Sequence, residues 1–242
     1  MRKLSDDVYG ILFAASVASA LFAAGCEGSK QSSTTANASG TGGKPSGADA
    51  PHKTNFFVSS DTSKTGNLGG LAGADARCAA LAGAAGFTQK TWHAYLSIEH
   101  GPDGSPAHAR DRIGNGPWYN AKGVMVAADL AALHSRLGDA EVFLDERGNK
   151  IPGQWQGSPQ PVEHDILTGS NADGTMMAAM TCADWTSDQA GMAAQVGHSD
   201  GLGPGMNANH PYSSWNASHT NAGCNDTVPR GGSGRIYCFA VD

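Results

Sequence analysis

Charge is scarce in this 242-residue chain: Asp, Glu, Lys and Arg make up 16% of it, and the formal net charge is −6. No cluster of Lys and Arg stands out anywhere, which argues against a nucleic-acid partner and against a polyanion held mainly by charge. Familiar catalytic signatures are also missing. There is no Gly-x-Ser-x-Gly, no His-Glu-x-x-His and no phosphate-binding glycine loop. Gly66-x-x-Gly69-Gly70 comes nearest to the last, but no lysine follows, and a turn that packs a helix explains it better. No Cys-x-x-Cys occurs, and no cysteine has a His or Cys at zinc-finger spacing, so a structural zinc finger is not expected.

What is present begins with an export pattern. Arg2 and Lys3 precede an apolar run from Tyr9 to Ala24 that is too short and too rich in alanine for a transmembrane helix. It ends in Leu21-Phe22-Ala23-Ala24-Gly25-Cys26, which resembles the lipobox of bacterial lipoproteins, although Ala23 stands where that family prefers leucine. The resemblance implies a signal peptide over residues 1–25 and a lipidated Cys26. The competing reading is ordinary cleavage nearby, leaving Cys26 a free thiol. Residues 26–53 are Ser, Thr, Gly, Ala, Asn and Lys with almost no large apolar side chain, a composition expected of a flexible tether. Residues 1–25 hold two bases and two acids, so their removal leaves the charge at −6.

Five cysteines are present: Cys26, Cys78, Cys182, Cys224 and Cys238. If Cys26 carries lipid, the other four form an even set that suits an oxidising compartment. Four cysteines allow three pairings, and periodicity does not choose among them. The 33 glycines imply a loop-rich domain over residues 54–242, where two disulfides offset a thin core. The chain-entropy model assigns each long closure roughly 4–5 kcal/mol at most.

Along that domain, residues 55–59 read as a strand. Leu71, Ala74, Cys78, Leu81 and Ala85 recur at helical spacing with Gly86 as a stop, which predicts a helix with Cys78 on its buried face. Residues 91–97 have strand composition, and 127–137 read as a second helix. Residues 141–145 read as a strand entering a turn, and 154–157 as the opening of another. Residues 183–223 form a long polar segment with two tryptophans, and 235–241 close the domain as an apolar strand.

Gly69-Gly70-Leu71-Ala72-Gly73-Ala74-Asp75-Ala76-Arg77-Cys78 and Trp92-His93-Ala94-Tyr95-Leu96-Ser97 resemble the start of a bacterial lipoprotein domain related to endostatin. Trp155-Gln156-Gly157, Thr181-Cys182-Ala183-Asp184-Trp185-Thr186 and Ile236-Tyr237-Cys238-Phe239 continue the likeness in order, over about residues 54–242. The resemblance implies an α+β, C-type-lectin-like fold: two helices flanking a twisted, mostly antiparallel sheet, with the terminal strands adjacent. It also implies nested disulfides, Cys78–Cys238 and Cys182–Cys224. Function does not follow from that fold. The calcium-and-sugar tripeptides of the sugar-binding members are absent, and Ala217 follows Trp215-Asn216 where their motif has aspartate. Endostatin's N-terminal zinc histidines and arginine-rich surface have no counterpart here.

Two chemistries remain for the polar segment. His198 with Asp200, and His210 with His219, invite a metal reading, but polar loop histidines are expected to be solvated. Asp184, Asp188, Asp200, Asn207, Asn209, Asn216, Asn225 and Asp226 offer the oxygens that calcium requires. Trp185 and Trp215 could stack on a sugar, or both could belong to the core. Trp185, beside a half-cystine, reads more readily as core. The candidate ligand residues are therefore Trp215, Asn216, Asp184, Trp185, Asp188, Asn207, Asn209, Asn225 and Asp226, with calcium as a possible cofactor.

The expectation is a non-enzymatic binding module for a glycan or matrix-like polymer, lipid-anchored in the cell envelope and more specifically the outer membrane. The rivals are an envelope lipoprotein with a protein partner and an enzyme of the formylglycine-generating type, which needs a free cysteine pair for copper.

Overall fold

The computed structural model describes residues 54–89 and 91–242. The expected signal peptide, tether and lipidated Cys26 lie outside the described residues. Among those residues no helix is long and apolar enough to cross a membrane.

The domain is α+β, with a mostly antiparallel sheet, few helices and two disulfides. Its centre is β8 (Gly232–Ala240), in which all nine residues are buried. A strand buried on both faces reads as a continuous run, which is why its end was legible as an apolar segment. Strands β1 (Phe56–Val58) and β2 (Trp92–Ala94) both pair antiparallel with the second half of β8. β5 (Asp165–Leu167) pairs in parallel with its first half, and β6 (Gln195–His198) and β7 (His219–Thr220) continue outward. A separate hairpin joins β3 (Trp118–Tyr119) to β4 (Met125–Ala127).

The period of two along β1 and β8 divides the core. Phe56, Val58, Tyr237 and Phe239 pack on one side with Tyr95, Trp118, Phe143 and Trp215. Phe57, Ile236, Cys238 and Ala240 pack on the other, under helix α1 (Gly70–Ala84). The buried stripe of α1 is Ala74, Cys78 and Ala82, successive i, i+4 positions, so Cys78 faces β8 and bonds to Cys238. The second bridge is Cys182–Cys224. All four half-cystines belong to one core cluster, so the inner pair does not sit under loose loops.

Several local expectations change. Helix α2 covers only Leu130–Ser135: β4 takes Ala127, and Asp129 caps the helix by accepting from the Ala132 amide. Residues 141–145 are not a strand but a turn with isolated bridges, Val58 to Asp145 and Leu144 to Lys150. Residues 154–157 are a bend pinned by the Trp155 indole donating to the Ile151 carbonyl. The 183–223 segment is not irregular throughout, since it supplies β6 and β7. β3, β5 and β4 before Ala127 had no expectation.

Candidate functional site: a buried histidine–aspartate pocket

The expected ligand residues do not gather in one cleft. Trp185 and Trp215 are both 0% exposed. The Trp185 indole donates to the Ser97 carbonyl at 2.8 Å, and the Trp215 indole to the Leu133 carbonyl at 2.9 Å. Trp215 lies against Tyr95, Phe143 and Tyr237. Neither ring has a face free for a sugar. Asn216 is also buried, and its amide donates to the Tyr95 hydroxyl and to the carbonyls of Asn171 and Ala172. Burial pushes the Tyr95 hydroxyl far above its ordinary pKa, so it stays protonated within that network.

The remaining oxygens are dispersed. Asp184 accepts from the Glu99 and His100 amides beside a cavity of about 310 Å³ shared with Ala179 and Met192. It belongs to a left-handed turn in which Cys182, Ala183, Asp184 and Trp185 all have positive φ, an arrangement held by the adjacent disulfide and by Thr181 accepting from the Asp184 amide. Asn225 and Asp226 line a different hollow with Lys64 and Val228. Asp188 is exposed and bonded to Gln189, while Asn207 accepts from the exposed Asn209 amide. This scatter offers no single calcium cage.

The residues that do converge come from three adjacent strands. Asp165 opens β5 and pairs across the sheet with His198 at the end of β6; His219 lies on β7 opposite Val196. A register shift falls between Asp165 and Ile166 in the pairing of β5 with β8. Such irregularities re-aim side chains, and here consecutive His164 and Asp165 reach the same cluster. Two glycines permit the packing. A Cβ at Gly153 would collide with the Asp200 carboxylate, and one at Gly197 with the Trp215 carbonyl.

The geometry is close. His164 Nε2 is 3.4 Å from Asp165 Oδ1, His198 Nε2 is 3.2 Å from the same oxygen, and His219 Nε2 is 3.5 Å from Oδ2. The two ring nitrogens of His198 and His219 are 2.9 Å apart. His164 Nδ1 lies 2.7 Å from Asp200 Oδ1, and His219 Nδ1 lies 2.9 Å from the Thr220 carbonyl. Burial raises the affinity of Asp200 for a proton. The hydrogen bond and charge of His164, with the Gln154 and Leu202 amides, outweigh that and hold its carboxyl below the usual range.

His164, Asp165, His198 and Asp200 are each no more than 5% exposed, yet the cluster borders a cavity of about 370 Å³. Gln154, Pro204, Tyr212, His219 and Arg230 complete its wall. His164, Asp165 and His198 bring one donor atom each within 4.8 Å of one another, so a metal ion is within reach of all three. Sequence reading had named His198, Asp200 and His219 as loop histidines and an acid. It missed His164 and Asp165, because nothing in Glu163-His164-Asp165 marks a strand end. His210, grouped then with His219, is exposed instead.

No protein-family model matches the chain, and no curated protein matches it.

Proposed function

We propose that the protein is a lipid-anchored module of the cell envelope, C-type-lectin-like in fold, that binds a carbohydrate in the histidine–aspartate pocket. Support for the frame is the pairing of β1 with β8 and the nesting of Cys182–Cys224 inside Cys78–Cys238. The observation that carries the binding reading is the pocket wall. The half-buried Tyr212 ring, stacked on His198 and in contact with Gly203, adjoins Gln154, His219 and Arg230, so an aromatic side chain is flanked by donors and acceptors. Sites for sugars need that combination, an aromatic face for the ring carbons and convergent polar groups for the hydroxyls. The 183–223 segment supplies His198, Pro204, Tyr212 and His219, so the polar stretch contributes through different residues from those first chosen.

A glycan array probed with the purified protein and with Tyr212→Ala tests the reading. Binding to a defined sugar class that Tyr212→Ala weakens at least tenfold is expected. Absence of binding to any sugar, alongside recovery of a protein partner from intact envelopes, would replace it with the interaction-protein reading.

A further inference from the structure

We propose that His164, Asp165 and His198, with His219 closing the group from the solvent side, bind one late first-row divalent cation such as zinc. The first argument concerns lone pairs. The Asp200 carboxylate and the Thr220 carbonyl only accept hydrogen bonds, so the Nδ1 atoms of His164 and His219 carry the protons. Both Nε2 atoms face Asp165, and in the neutral rings that metal binding requires both are bare. Neither oxygen of this 1%-exposed carboxylate has a hydrogen-bond donor. An ionised carboxylate buried against lone pairs is costly unless a cation lies between them.

The second argument is spacing. Bonds of about 2.0–2.1 Å from a tetrahedral centre place donor atoms roughly 3.3 Å apart. The separations from the Asp165 carboxylate to the Nε2 atoms of His164, His198 and His219, and between those of His198 and His219, run from 2.9 to 3.5 Å and bracket that figure. The third is the outer layer. His164 gives its far nitrogen to a carboxylate and His219 to a carbonyl, the arrangement that orients metal-ligating imidazoles. Nitrogen-rich donor sets select zinc and its neighbours over calcium and magnesium, so this site differs in kind from the calcium expected of the polar segment. It stands on its own geometry. That the ion expands to a fifth position toward Tyr212 and Arg230, and there receives an oxygen of the ligand, rests on the pocket reading above.

The test is zinc uptake by the chelator-stripped full-length protein at pH 7.5, read as metal per chain by mass spectrometry and as affinity by calorimetry. One zinc per chain with Kd below micromolar is expected. A cobalt-loaded sample should show the visible absorption of a four- or five-coordinate nitrogen–oxygen site. Asp165→Asn should abolish uptake. His219→Ala, at a side chain 27% exposed, keeps the test valid if the buried variant does not fold, and should weaken affinity at least tenfold. Asp200→Asn should weaken it about 10–100-fold without removing a ligand. Stripped protein that takes up no zinc, leaving a protonated histidine–aspartate cluster only, overturns the proposal. So does uptake indifferent to His219→Ala and Asp200→Asn. Zinc bound with no sugar on the array sinks the glycan reading alone; sugar bound without zinc sinks the metal site alone.

Discussion

Trp215 was the best sequence candidate for a sugar platform, and its burial turns that expectation into a stability prediction. Trp215→Phe keeps an aromatic ring against Tyr95, Phe143 and Tyr237 but removes the indole's second ring and its N–H. The Leu133 carbonyl that it bonds also accepts from the Arg136 amide, so no acceptor is orphaned and the lost bond is worth about 1 kcal/mol. Truncating buried atoms adds a transfer and cavity cost, bringing the total to about 2–3 kcal/mol. In a domain of this size that lowers Tm by about 4–12 °C. Trp215→Ala would cost about 3–5 kcal/mol from packing alone, a large share of the 5–15 kcal/mol typical of a whole domain. Urea denaturation followed by circular dichroism measures the change, with zinc and glycan binding measured on the folded fraction. Binding per folded molecule should be unchanged. A Trp215→Phe protein of wild-type stability that no longer binds ligand would refute the placement of this ring in the core.

The two disulfides should differ by loop length rather than by location. They close 160 and 42 residues within one core cluster, so Cys78→Ala/Cys238→Ala should cost about 5 kcal/mol and Cys182→Ala/Cys224→Ala about 4 kcal/mol. Urea midpoints of the two variants check this, and an inner pair that costs more than the outer one overturns it. At the N-terminus, Cys26→Ser should move the protein from the detergent phase to the aqueous phase or leave the precursor uncut. Wild-type protein already in the aqueous phase ends the lipoprotein reading.

The elements that were legible in the sequence are those whose burial imposes a pattern on their own neighbours. The helical recurrence through Leu71, Ala74, Cys78, Leu81 and Ala85 marked α1 to within a residue at each end, because one helical face must leave water, although the fully buried stripe passes through Ala82. The apolar run into Phe239 marked β8, whereas the pairing of the four cysteines was expected only from the family resemblance. Strands of two to four residues carry few side chains for a period of two to show; β1 and β2 were legible because apolar and aromatic neighbours extend them, whereas β3 to β7 lie in polar or glycine-rich stretches. The candidate site failed for the same reason. His164 and Asp165 stand 33 or more residues from His198 and His219, and no local rule relates them. Only the pairing of β5 with β6 and β6 with β7 sets their imidazole and carboxylate atoms within 3.5 Å. The same tertiary packing took Trp215 and Asn216 inward, since a polar sequence context does not reveal that its tryptophan completes an aromatic core on the far side of the sheet.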